Sequence, residues 1–549
     1  MQVSNYLLNE IYGRGVTRVF GVPGRENAHI LFNEAPDLEF ITTRVEFTAG
    51  IMAEFTGRMT QNPQVAFCTV GPGATNMVTA ASAAMLNRSP VLIVSAQLET
   101  DDRFHNITHQ CVDQRRIFEP VTKWSHELER AEDLPAVLDR AFRIMTTEPL
   151  GPVHLSIPID LLKKTISGLA GNAAVEVASA PAEMPRPGTR TLHEVHSALV
   201  HATKPLCLVG HEAIRARAED QIRRLCRAWN MPLLAAANAK GILPHDDPLN
   251  IGSPSPYMEG ILRYPTALAD IFEDIDLILS IGYQYVDDIL PKMWSRGHAK
   301  TLVHVSTFSA DPISAKYSPA VEAVGDIPST LEALLKLKAL PKELPDLRGL
   351  RDQAQAIYRI ESSDGKMTPV EVIRIINDSL EDGTFVTDIG YYRHHAILFS
   401  QPTRTRQFFT DSGLSTFGCG LPAAAAAQFV DRSKPVFLLC GDGGFHSGSG
   451  DLETVARHNL PIVIIVLNNN AFELIQRYQQ YGGKGHNHGI LAFSPVDFVK
   501  LAEANGITAV HADNTRALRQ AVKARDRTRP LLIEVPLAYH QEDKFVRSF

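Results

Sequence analysis

The chain has 549 residues, 44% of them hydrophobic and 21% charged, with a formal net charge of −7. Those values describe a soluble globular protein of about three domains. The acidic balance excludes a general nucleic-acid binder, and no apolar run approaches the length of a membrane span, so neither partner is expected and the cytoplasm is the expected compartment.

The opening stretch MQVSNYLLNEIYGRGV reads as a short amphipathic helix carrying acidic residues, unlike a signal peptide. Residues 1–165 then alternate helices with the apolar strands RVFGVPG, LEFITT, VAFCTVGPG and PVLIVSAQ, an α/β pattern that defines a first domain. Within it Glu46 follows a strand and begins a helix containing Ala49, Met52 and Ala53. Taken alone it has two readings, a glutamate stabilised by the helix dipole or a functional carboxylate held among apolar neighbours.

Residues 166–190 are rich in Ala, Gly and Pro and read as a linker. A second α/β domain spans 190–340, with PLCLVG, MPLLAAA and DLILSIG as strands. The third spans 360–549 and carries FVTDIG, FLLCGDGG, IVIIVLNN and LLIEVPL. The predicted architecture is three doubly wound α/β domains with parallel sheets. The six cysteines contain no CxxC pair and several fall in apolar runs, which predicts reduced, buried thiols.

Residues 434–470 carry the strongest local signal. Val436 to Cys440 and Ile462 to Leu467 are continuous apolar runs, and Leu452, Val455 and Ala456 fall between them at helical spacing. Asp451 and Glu453 stand near the start of that helix. A right-handed crossover makes the two strands parallel, so Asp442 and Asn469 converge at one sheet edge. A hard anion and an amide oxygen beside the backbone N–H groups of Gly441, Gly443 and Gly444 suit Mg²⁺ and a diphosphate. The first domain echoes this layout: Gly71 precedes Pro90 by 19 positions, and Gly441 precedes Pro461 by 20.

GDG, 24 residues and then NN resembles the signature of the thiamin diphosphate (ThDP) enzymes. Glu46, VFGVPG and GPGATN extend the resemblance over nearly the whole chain to the acetolactate synthase-like branch. TRVEFTAG, ITHQCVDQ, PYMEGIL, DIGYYRHHAILF and GDGGFHSGSGDLETVARHNLPIV are most similar to the carboxyethylarginine synthases within it. That resemblance implies a pyrimidine-binding, a middle and a diphosphate-binding domain, ThDP and Mg²⁺ as cofactors, and no FAD. It gives Glu46 the pyrimidine N1′ contact and Asp442, Asn469 and the Ala471 carbonyl the metal. Pro23, Gly71, Asn76, Gly390, Ser415, Phe417, Gly441, Gly443 and Gly444 complete the cofactor site, with Phe417 as the wedge that bends the cofactor. His109, Gln110, Tyr257, Arg393, His394 and Tyr539 would reach the reacting atoms.

The chemistry so implied is a carboxyethyl-amino-acid synthase. Glyceraldehyde 3-phosphate, a triose phosphate, would combine with an amine or amino acid such as arginine, with release of phosphate. Arg393 and His394 would grip that phosphate. The alternatives are a 2-oxo acid decarboxylase or acetolactate-type carboligase, and a catalytically silent paralogue, against which the intact Glu46, Asp442 and Asn469 argue. Val45 stands where relatives carry histidine, and NAFELIQRYQQYGGKGHNHGI departs from the synthase pattern. The two histidines of GHNHG lack a third ligand, so no transition metal is assigned. A homodimer or dimer of dimers, the homotetramer, is expected, because in the resembling family the two cofactor-binding domains meet across subunits.

Overall fold

In the computed structural model, the described residues are 1–31, 38–104, 109–166, 184–253, 272–284, 286–287, 289, 291, 299–310, 317–343, 366–481 and 488–537. They form three six-stranded sheets whose strand pairs all run parallel. Parallel sheets need helices on both faces, which is why their inner strands are apolar throughout.

The first sheet contains β1 (Arg18–Gly21), β2 (Glu39–Thr42), β3 (Gln64–Cys68), β4 (Val91–Gln97), β5 (Trp124–Glu127) and β6 (Val153–Pro158), in the order β2-β1-β3-β4-β6-β5. The middle sheet contains β7 (Pro205–Val209), β8 (Leu233–Ala235), β9 (Asn250–Gly252), β10 (Leu277–Ile281), β11 (Thr301–Ser306) and β12 (Val321–Val324), ordered β12-β11-β10-β7-β8-β9. The last contains β13 (Thr384–Thr387), β14 (Phe408–Thr410), β15 (Val436–Gly441), β16 (Ile462–Asn468), β17 (Thr508–His511) and β18 (Leu531–Pro536), ordered β14-β13-β15-β16-β18-β17. Numbered within their own domains, the first and last sheets share one order, second-first-third-fourth-sixth-fifth. The sequence echo falls on the third and fourth strands of each.

By packing, the chain divides into two compact units. One comprises residues 1–183 together with 413–431 and 448–458; the other holds 184–412, 432–447 and 459–549. The first unit therefore takes in two helical stretches that follow strands of the last sheet.

The helix Glu46–Thr60 lies in the middle of that first unit, with twelve of its fifteen residues buried. Small residues make this possible. A Cβ on Gly50 would lie 2.4 Å from both Met77 Sδ and Ala80 Cβ on the helix Pro72–Leu86. Mid-helix glycine costs roughly 0.5–1 kcal/mol, and the close helix contact offsets it. The helix ends at Gln61, which takes the left-handed conformation (φ 64°) and returns its N–H to Gly57 O.

Among the described residues, no helix is long and apolar enough to cross a membrane. The six cysteines are free, as expected, and five of them are buried.

Candidate active site

The candidates divide between the two compact units. In the first, they collect at the carboxyl ends of β1 and β3. Glu46 begins its helix directly after Val45, which is extended, and its carboxylate is buried. Asn76 Nδ2 donates to Glu46 Oε2 at 3.1 Å. Thr69, just past β3, sits between two glycines: a Cβ on Gly24 would meet its Cγ2 at 2.2 Å, and one on Gly73 its Oγ1 at 2.5 Å. The same Cβ on Gly73 would lie 3.1 Å from Glu46 Oε1. Bare glycine backbone thus lets the start of the helix Pro72–Leu86 close on the carboxylate. Burial, reinforced by the Glu46 charge, pushes the Cys68 thiol far above its usual range, so Cys68 is inert packing beside the anion.

Gly71 has φ 61°, and a Cβ there would lie 2.7 Å from Gln110 Cβ. Glu46, Gly71, Asn76 and Gln110 therefore gather around one helix start. Gln110 is itself left-handed (φ 69°), and His109 beside it is exposed. Pro23 is exposed on the loop after β1, which Asn27 braces by accepting from Gly24 N and donating to Val22 O. Ser415 (φ 56°) and Phe417 belong to the stretch 413–431 of this unit. Phe417 is 42% exposed, unusual for a large apolar ring and consistent with a contact to something other than this chain's core.

The sequence did not single out Asp451 as a bracing residue. It is buried, accepts from Arg44 N at 2.9 Å and Thr48 Oγ1 at 2.6 Å, and also takes the Thr454 hydroxyl. Those two first donors flank Glu46, so Asp451 fixes the turn that presents the carboxylate. The sequence placed it only near a helix start, because a contact over about four hundred positions leaves no local signal.

In the second unit, β15 and β16 run side by side with Gly441 opposite Leu467, so Asp442 and Asn469 emerge at one edge, as predicted. Asp442–Gly448 is a helix, followed by a 3₁₀ turn and the helix Leu452–Arg457, which carries the Leu452, Val455 and Ala456 spacing. Asp442 is buried and accepts from Gly443 N at 2.7 Å and Asn469 N at 3.2 Å. Burial raises its pKa against these backbone donors, so the carboxylate lacks a strong counter-charge. Asn469 Nδ2 donates to Glu473 Oε2 at 2.7 Å, which leaves the acceptor Oδ1 for a cation. Glu473 is in turn held by Arg477 Nε one helical turn on. The Ala471 carbonyl accepts from Glu473 N at 3.0 Å and keeps a second lone pair. One carboxylate, one amide oxygen and one carbonyl suit Mg²⁺, which completes its shell with water and phosphate oxygens. Among the described residues, no group of three or more His, Cys, Asp or Glu could hold a metal.

Gly390 and Gly441 make room for one ring: added Cβ atoms would lie 2.5 and 2.9 Å from Tyr392 Cε1. Arg393 and His394 lie in the first turn of the helix Tyr391–Phe399 and are buried. Arg393 Nε donates to Thr410 Oγ1 at 2.7 Å and Nη2 to Ser412 Oγ at 3.3 Å. Burial, then the Arg393 and His395 charges, hold the His394 imidazole well below its usual pKa, hence neutral. An open cationic fork is therefore not what the described residues present. Tyr257 and Tyr539 lie outside the described residues.

The family model described as thiamine pyrophosphate enzyme, N-terminal TPP binding domain, matches residues 1–117. Its central-domain counterpart matches 192–334 and its C-terminal TPP binding domain 388–535. An acetolactate synthase of Bacillus subtilis is 30% identical over 98% of this chain and 94% of its own. A catabolic acetolactate synthase of Raoultella terrigena is 28% identical over 98% and 95%. A thiamine diphosphate-dependent 4-hydroxybenzoylformate decarboxylase of Rhodococcus jostii RHA1 superposes with a TM-score of 0.84 at 22% identity, over 98% of this chain and 99% of that one, a likeness of fold.

Proposed function

The chain belongs to the thiamine pyrophosphate enzyme family, and from that premise we propose that it acts on a 2-oxo acid as an acetolactate synthase-type carboligase. When bound, ThDP supplies an electron sink for the bond beside the substrate carbonyl. Asp442, Asn469 Oδ1 and the Ala471 carbonyl would hold Mg²⁺ and, through it, the diphosphate. Glu46, buried and oriented by Asn76, would accept a hydrogen bond from the pyrimidine and keep a proton at its ring nitrogen. Phe417 would cover the cofactor with an apolar face.

The observation that carries the choice of substrate is the state of Arg393 and His394. A phosphate dianion is held best by more than one positive donor, whereas Arg393, buried and bonded to Thr410 and Ser412, has a neutral His394 beside it. A 2-oxo acid loses its carboxylate as neutral carbon dioxide and needs no group that holds a phosphate. The similarity to acetolactate synthases supports the same reading.

A second reading, carboxyethyl transfer from a triose phosphate to an amine, rests on the position of Arg393 and His394 just after β13, which pairs with β15, the strand that leads into Asp442. One experiment separates them. Holoenzyme is given pyruvate, or glyceraldehyde 3-phosphate with arginine, while carbon dioxide, acetolactate and inorganic phosphate are followed. Carbon dioxide with acetolactate is expected; arginine-dependent phosphate release without either would replace the carboligase with the carboxyethyl synthase.

We further read the middle domain as working without flavin. At the end of β7, His211 N and Gln284 N donate to the Asp287 carboxylate, at 3.2 Å and 2.9 Å. A carboxylate there repels a nucleotide phosphate. Stoichiometric flavin absorbance in the purified protein would overturn this.

A further inference from the structure

The middle domain contributes a second polar pocket, built from β8, the stretch 240–253 and residues 398–402. Its cavity volume is about 40 Å³, and it opens to solvent. Lys240, Ser253 and Ser400 line it and are only 8%, 3% and 5% exposed. Among the described residues, neither Ser253 Oγ nor Ser400 Oγ has a hydrogen-bond partner. A buried hydroxyl normally has one.

Lys240 Nζ donates to Ile397 O at 2.5 Å, at the C-terminal end of the helix Tyr391–Phe399. That carbonyl and the helix dipole favour a cation there, and the Phe408 ring lies 5.6 Å from Nζ. One carbonyl uses one of the three ammonium N–H groups. No carboxylate is present among the lining residues; His245 is the other ionisable one. Burial accordingly lowers the lysine pKa to about 7.

The walls are built rather than loose. Gly241 has φ 87°, and a Cβ on it would lie 2.1 Å from Arg404 O. Asn250 donates to Leu243 O and Pro244 O, both at 2.9 Å, and accepts from Gly252 N at 2.8 Å, bracing the turn that carries Ser253.

A lysine amine with N–H groups to spare and two unpaired hydroxyls in one pocket form a donor set, and an oxyanion there would favour the protonated amine. We propose that this pocket binds a small oxyanion, a carboxylate or phosphate group, through Lys240 Nζ, Ser253 Oγ and Ser400 Oγ. It is separate from the cofactor-holding residues, and it touches the last turn of the helix whose first turn carries Arg393 and His394. A lysine serving only as a helix cap would explain the Ile397 contact but not the two unpaired hydroxyls.

The test uses holoenzyme saturated with ThDP and Mg²⁺, so that the diphosphate cradle is filled. Inorganic phosphate, acetate and chloride are titrated at constant ionic strength, with calorimetry and thermal unfolding as readouts. Saturable binding of phosphate or acetate, with no response to chloride, is expected, and the stronger of the two identifies the group. Lys240→Met and the double variant Ser253→Ala/Ser400→Ala should each weaken that binding at least tenfold, with circular dichroism and ThDP affinity unchanged. Should Lys240→Met fail to fold, the serine pair decides alone. No saturable response to either oxyanion, or undiminished binding in the serine pair, overturns the proposal.

Discussion

Glu46 and Asp442 are buried carboxylates with different tasks, so their substitutions should fail differently. Glu46→Gln keeps the shape and the Asn76 contact but loses the anion. It should bind ThDP normally while hydrogen–deuterium exchange at the cofactor's C2 position, followed by NMR, slows by orders of magnitude; exchange at the wild-type rate would make Glu46 structural. Asp442→Ala removes the carboxylate proposed to hold Mg²⁺. A charge-assisted contact is worth on the order of 2 kcal/mol, roughly thirtyfold, so calorimetric ThDP affinity in Mg²⁺ should fall by at least that factor. A third buried group makes a prediction about acid stability. His154 stacks on Phe118, with Ser95 and Ser125 hydroxyls at its two ring nitrogens, and burial lowers its pKa to about 3. The folded chain keeps it neutral while the unfolded chain protonates it below pH 6.5, so its contribution is whole above 6.5 and lost as pH falls toward 3. At pH 4.5 the loss is about 3 kcal/mol. His304, lowered to about 4 by burial, adds a smaller loss of the same sign. Urea midpoints of His154→Gln should accordingly vary less than wild type between pH 4.5 and 7.

At the scale of elements, legibility followed apolar continuity. β3, β4, β15 and β16 announced themselves because strands covered on both faces need unbroken hydrophobic runs. β6 and β11 are buried too, yet went unread, because VHLSIP and TLVHVS interleave His154, Ser156, His304 and Ser306 with their aliphatics. Those polar side chains are tolerated inside because they bond across strands, as Ser280 does with His304 Nδ1 at 3.0 Å. Edge strands such as β5 and β17 are only partly covered and lack the pattern altogether. Of the candidate site, the meeting of Asp442 and Asn469 at one edge was readable from GDG and NN, because a right-handed crossover makes those strand ends neighbours. The brace of Asp451 against Arg44 and Thr48 was not, because it is a tertiary contact. Asp451→Ala would strand the Arg44 N–H and Thr48 hydroxyl, at a cost of about 2–4 kcal/mol. Chemical denaturation should show that loss.

For the whole molecule, Glu46 and Asp442 belong to different compact units. We propose that they are joined across subunits in a homodimer or dimer of dimers. Mixed Glu46→Gln and Asp442→Ala chains, refolded together, should then recover part of the wild-type rate, since one hybrid site carries both native residues. An active monomer on light scattering would contradict that arrangement. The discontinuous first unit also bears on how the chain must be made. Its N-terminal stretch ends at residue 183, but the helix Gly420–Val430, which packs on the helix Glu46–Thr60, and Asp451, which braces that helix, are translated much later. At roughly 5–20 residues per second, synthesis leaves the earlier part waiting on the order of tens of seconds. During that interval an apolar helix face stands uncovered on the ribosome, so a nascent fragment halted near residue 183 should be a chaperone client, and the domain cannot be excised as a stable piece.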